Sequence, residues 1–314
     1  MSNPFAPLGE DSFDLWLEKS NFDGVFLSGV AYGILFTITA QTLLLFSQLP
    51  KDKTPRLLIA YIIAIFVLAS VGFGGNAKFN QMTYIDDRNY PGGPNAYTVD
   101  FYSTLVNMLS FGAYILMSWM ADGLVLWRFT LIWEVKYWLS AFPLLMFLGS
   151  VGSSIALFIS IARHRDTFWS EKSMQFGLAY WSLSIALNII LTLSIVARIW
   201  LVRRQVHALA GDSPRHSAIH YVSIAAMLIE SAALYATWSM VFLICYARNT
   251  PLQNLLLPPL GQVQGIAPLL ILFRVAQGRA WSQDTRTVTI NSAIFARSQG
   301  IIPLSPSADG FRGS

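Results

Sequence analysis

Charge is scarce in this chain. Asp, Glu, Lys and Arg make up 12% of its 314 residues, against 54% hydrophobic, where a soluble globular domain carries about 25% charged residues. That leaves too little polar surface to keep a domain of this size in water, and mean hydropathy is +0.50. Cysteine is scarcer still. Cys245 stands alone, which excludes an internal disulfide and any cysteine-rich metal site. The four histidines, His164, His207, His216 and His220, show no ligand spacing such as H-E-x-x-H. Basic residues are scattered, without the dense Lys/Arg face that nucleic acid requires, so no nucleic-acid partner is expected. Nor is there an internal repeat, which weighs against a repeat-built transporter. What remains is a membrane protein.

A spanning helix needs about 20 apolar residues to cross the hydrocarbon. Seven runs qualify, at 24–48, 56–75, 102–127, 137–162, 174–200, 218–247 and 251–273, the sixth interrupted by Glu230. The expected fold is therefore an all-α membrane protein, a seven-helix bundle over 24–273. It is flanked by an N-terminal tail (1–23) and a polar C-terminal tail (274–314) that is partly disordered. Residues 1–23 lack a basic region and an early apolar stretch, so no cleavable signal is expected. Counting Lys and Arg in the connections gives 14 on the side of the C-terminus and 7 on the other. This bias predicts an extracellular N-terminus, a cytosolic C-terminus and a receptor-like topology in the plasma membrane. Trp127, Trp133, Trp138, Trp169 and Trp200 fall at span ends, where interfacial anchoring by membrane lipids is the simplest reading.

Two acids lie inside the spans, Asp122 in the third and Glu230 in the sixth. Intramembrane carboxyls are costly and usually face the bundle interior. By rise per residue Glu230 falls near the midplane and Asp122 closer to the cytosolic edge, near enough for one polar cluster. Asn188 and Gln264 are the candidate partners at that depth, with Gln41 deeper in the first span; interhelical packing is their simpler role. Arg128 or Arg198 could pair with Asp122. Glu230 is expected to be protonated, interior-facing and bonded to Asn188 or Gln264. Pro258, Pro259 and Pro268 interrupt the seventh span, predicting a kinked or partly unwound helix that faces the interior. The string Tyr90-Pro-Gly-Gly-Pro94 forms turns and predicts an ordered lid over the outer mouth, with Asp86, Asp87 and Arg88 pairing locally.

Four strings carry a resemblance: Ile85-Asp-Asp-Arg-Asn-Tyr-Pro-Gly-Gly-Pro94, Ala121-Asp-Gly-Leu-Val-Leu-Trp-Arg128, Glu230-Ser-Ala-Ala-Leu-Tyr235, and Gly265-Ile-Ala-Pro268 followed by Arg274. With them the chain resembles a large group of seven-helix integral membrane proteins abundant in mushroom-forming (basidiomycete) fungi. The resemblance implies the fold and the membrane location, and carries no ligand or reaction. Named seven-helix families fit worse. Retinal needs a lysine in the last span, and Lys19, Lys51, Lys53, Lys78, Lys136 and Lys172 all lie outside the core, so no cofactor is expected. Where a rhodopsin-like receptor shows Asp-Arg-Tyr, this chain has Trp127-Arg128-Phe129, and Ala267-Pro268 replaces Asn-Pro.

The leading expectation is a receptor- or sensor-like protein binding a small, apolar ligand in the outer half of the bundle and coupling to a cytosolic signalling protein. Its polar core would comprise Asp122, Asn188, Glu230, Gln264 and Pro268. The alternatives are a lipid- or terpenoid-modifying membrane enzyme with Asp122 and Glu230 as proton donor and acceptor, and a proton-coupled transporter using Glu230.

Overall fold

The computed structural model describes residues 11–48, 56–133, 137–163, 170–210 and 215–298, with side chains described throughout except at 137–139, 202–203, 205–228 and 278–298. Trp169 and residues 1–10 and 299–314 lie outside these segments. The described chain is all helical: α1 Ser12–Ser47, α2 Arg56–Gln81, a π-helical turn Met82–Asp86, α3 Gly93–Asp100, α4 Leu105–Trp133, α5 Tyr137–Ala162, α6 Glu171–Ala210, α7 Arg215–Ala247 and α8 Leu252–Ser298. Seven of them, all but the short α3, are long and apolar enough to cross a membrane. The chain is a multi-pass membrane protein.

Neighbours follow chain order around a ring, from α1 and α2 through α4, α5, α6 and α7 to α8, which closes on α1. Helices α4 and α8 also lean across the ring, α4 meeting α6 and α8, and α8 meeting α2. With an odd number of spans, α1 and α8 run parallel. Their register is constant. Gly24 abuts Asn254, Ser28 donates to the Pro258 carbonyl at 3.1 Å, and Leu35 abuts Gly265, three contacts offset by 230 positions. Ser20, Gly24 and Ser28 keep the α1 side of this seam small, as close helix packing in lipid requires.

Both ends of the bundle extend beyond the expected spans. Asp11 caps α1 through a capping box with Asp14, so residues 12–23 form the first three turns of a helix where a tail was expected. Satisfying the orphan N–H groups fixes that start. At the other end α8 continues through 274–298, a stretch with no proline to stop it. The end of the bundle carrying residues 82–104 is the loop end, and the opposite one the tail end.

At the loop end, positive φ at Gly92 (91°) and Gly93 (75°) turns the chain into α3. Tyr90, Tyr97, Phe101, Tyr102 and Phe79 then pack ring to ring over the bundle. Tyr90 donates to Asp100 at 2.9 Å, Lys78 pairs with Asp86 at 3.1 Å, and Asn95 donates to the Asp14 carbonyl at 3.2 Å. The hydrogen bond to Asp100 holds the Tyr90 phenol above its ordinary pKa; burial, then the bond to Asp87, does so for Tyr97. The segment is a tied-down cap, in which Asp86 pairs with Lys78 on α2. At the tail end, Arg198 lies over the Trp133 ring (5.6 Å) and Arg204 over Trp200 (3.5 Å).

Candidate functional site

Polar side chains concentrate on the inner faces of α4, α6, α7 and α8. Helical phase places them there. Among the described side chains of α7 the buried positions are Ser231, Tyr235, Ser239, Phe242 and Tyr246, spaced by three and four, the signature of one helix face. Across the bundle, the Ser184 hydroxyl donates to Asp122 Oδ2 at 2.8 Å and lies 2.9 Å from the Tyr235 hydroxyl. Gln264 Nε2 donates to that same Tyr235 oxygen at 3.5 Å. One connected network thus ties α4, α6, α7 and α8 together, with Asp122 only 4% exposed.

A cavity of about 20 Å³ adjoins this network, lined by Asp122, Asn188, Gln264 and Pro268 together with Ser118, Ser231, Thr192 and Arg128. It has room for about one water molecule. The Asn188 side-chain oxygen is buried and without a hydrogen-bond partner. Two further small spaces, each sharing lining residues with its neighbour, lie toward the loop end. The first, about 50 Å³, shares Gln264 and is lined by Asn107, Tyr114 and Tyr180. The second, about 70 Å³, shares Asn76, Tyr102 and Asn107 with the first and reaches Asn80, Thr83 and Asn254 beneath the cap. Beside the first, Gln262 donates to the Tyr114 hydroxyl at 3.0 Å and to the Ala69 carbonyl at 3.3 Å.

Four of the residues singled out from sequence, Asp122, Asn188, Gln264 and Pro268, therefore meet around one space. Glu230 does not join them. It is exposed, on the opposite side of α7 from Tyr235. The phase that buries Ser231 and Tyr235 turns Glu230 by about 100° onto the face of Leu234, Thr237 and Val241, all exposed. There it lines a lateral groove of about 670 Å³ between α7 and α8, with Arg274 at the tail end. The expected partnership of Glu230 with Asn188 or Gln264 is replaced by exposure to the groove. Gln41 is likewise exposed. Among the described residues Asp122 makes no ion pair with Arg128 or Arg198; its contact is the Ser184 hydroxyl. Ser184 and Tyr235, which hold the network together, are not among the residues that the sequence singles out. Serine and tyrosine are unremarkable in composition, and only the buried phase of α7 could have pointed to Tyr235.

Because Glu230 is exposed, Glu230→Gln is expected to change unfolding stability in detergent by no more than about 0.5 kcal/mol. A larger loss in a thermal melt would return Glu230 to the packed core.

Helix α8 runs unbroken through its three prolines, and 257–269 is almost wholly buried or half-buried. The expected interior-facing helix is present; unwinding is not. Pro258 and Pro259 leave the Asn254 and Leu255 carbonyls without their helical donors, and Gly24 of α1 closes over both oxygens.

Comparison with protein-family models, with curated proteins and with solved structures finds no match to this chain.

Proposed function

We propose that the protein is a receptor- or sensor-like membrane protein, loop end outside at the plasma membrane, that takes a small, largely apolar ligand from the bilayer. The ligand enters the lateral groove between α7 and α8 and is reported through Tyr235 to a cytosolic signalling protein at the tail end. Volume selects the groove. Small-molecule sites measure about 300–1,000 Å³, and the groove of about 670 Å³ falls in that range. The spaces beneath the cap, about 50 and 70 Å³, do not. This moves the ligand from the outer half of the bundle to its flank.

One observation carries the reading. Ser231 lines both the groove and the cavity beside Asp122, and Tyr235 follows it by one helical turn. A ligand that shifts α7 must therefore disturb the hydrogen bonds of Tyr235 to Ser184 and Gln264, a discrete arrangement that can be occupied or broken. An enzyme using Asp122 and Glu230 together would need both carboxyls on one substrate, whereas these two line different spaces.

A photoreactive fatty-acid analogue and a photoreactive sterol, each reconstituted with the full-length protein, test this. Labelling is expected to concentrate on 230–241 and 256–274, and Ala233→Trp, which fills the groove, should remove most of it. Labelling spread evenly over every lipid-facing helix and unchanged by Ala233→Trp would overturn the proposal.

A further inference from the structure

We propose that the protein forms a parallel homodimer in the membrane, joined through the face of α1 that points away from α8, with Gln41 of each copy hydrogen-bonded to the partner's Gln41. The proposal uses no residue of the groove or of the core cavity, so it stands or falls separately from the ligand reading. Its first support is an unmatched amide. The uncharged run 24–50 has its middle at Thr37. Gln41 lies four residues further, about 6 Å, well inside the hydrocarbon half-thickness of about 15 Å. It is exposed, and no hydrogen bond joins it to another described residue. Thr37, also exposed, meets its need locally by donating to the Gly33 carbonyl at 2.9 Å. The Gln41 amide carries both donors and an acceptor, and faces lipid tails that offer it neither.

The second support is shape. α1 turns Ser28, Leu35, Thr39 and Thr42 toward the bundle, with Ser28 and Leu35 against α8. At about 3.6 residues per turn, Gly33, Thr37 and Gln41 follow one another along the opposite side. All three are exposed, and nothing lies within 4 Å of a methyl group added at Gly33. Small residues at this spacing let two helix backbones approach closely, crossing at about −40°. Phe26, Val30 and Leu44, each more than half exposed, border the stripe and supply apolar contact.

Symmetry selects a second copy as the occupant. Every copy enters the bilayer the same way round, so a two-fold axis along the bilayer normal brings residue 41 against itself at equal depth. An amide is its own complement, because each side chain donates to the oxygen of the other. A helix of a different protein would have to carry a polar group at that depth and on the matching face. A second copy always does.

The test counts subunits. Full-length protein with one fluorophore on a C-terminal tag is reconstituted into phosphatidylcholine liposomes at graded protein-to-lipid ratios, and bleaching steps are counted in each vesicle. Wild-type protein is expected to bleach in two steps and to separate into single-step species on dilution with lipid. Gln41→Leu should raise the half-dimer ratio about tenfold, the loss of two interhelical hydrogen bonds. Gly33→Leu, which holds the backbones apart, should raise it further, whereas Gly33→Ala, still small, should leave it in place. These positions face lipid, so the fold survives the changes. In a Cys245→Ser background, Thr37→Cys should cross-link into a covalent dimer under copper phenanthroline oxidation, whereas Leu148→Cys, on the exposed flank of α5, should not. Single-step bleaching at every ratio, a ratio unmoved by Gln41→Leu, or equal cross-linking at 37 and 148 would overturn the proposal and leave lipid or a different protein on this face.

Discussion

Gly24→Ala is expected to lower unfolding stability by about 1–3 kcal/mol, the range for overpacking a close contact. A methyl group at this position would sit 2.5 Å from the Asn254 carbonyl oxygen and 3.2 Å from that of Leu255. Both are backbone atoms of α8, so no side chain can rotate away. They are also the two acceptors deprived of helical donors by Pro258 and Pro259. Gly33 on the same helix is the control. It is exposed, with nothing within 4 Å of an added methyl. Gly33→Ala should be neutral or stabilising by up to about 1 kcal/mol, the gain in helix propensity. Melting both variants in one detergent checks the pair. Equal and small effects would mean that α1 and α8 can separate without cost, and the constant register between them would lose its energetic meaning.

The seven spans were legible because the requirement is crude. Twenty apolar residues in a row can hardly be anything else, and charge interruptions at Lys51, Arg128, Lys136 and Arg163 separate them. The true starts were less visible. Residues 12–23 are polar enough to read as a tail, and their helix depends on the capping box at Asp11 and on docking through Asn95 and Tyr84 to the backbone at Asp14 and Glu18. Docking of that kind joins residues far apart in sequence. The site divides in the same way. Asp122, Asn188 and Gln264 could be picked out because a strongly polar group at membrane depth has few acceptable surroundings. Glu230 met the same criterion and failed because depth says nothing about direction. Direction is set by helical phase, and the phase of α7 is written in Ser231, Tyr235, Ser239, Phe242 and Tyr246, small or aromatic residues that carry little weight in a hydropathy reading. Reading that stripe first would have placed Glu230 on the flank.

The same stripe supplies the second large effect. Asp122→Ala is expected to lower stability by about 1–3 kcal/mol, because it removes the acceptor that ends the Tyr235–Ser184 chain and leaves one buried hydroxyl donor unmatched. Isolated interhelical hydrogen bonds in membranes average about 0.6 kcal/mol and reach at most about 1.7, so the size of the loss discriminates. A loss above that ceiling means that Asp122 anchors the whole chain of contacts through Ser184 to Tyr235 and Gln264. A loss near the average makes it one bond among many. Asp122→Asn retains an oxygen for Ser184 to donate to and should cost less than half as much. A double-mutant cycle with Ser184→Ala then isolates the contact, with an expected coupling of about 0.5–3 kcal/mol. Coupling near zero would detach Asp122 from Ser184. Because Tyr235 lies one turn from the residue shared by groove and core, it would also remove the acidic end of the path that the proposed function requires between α7 and α4.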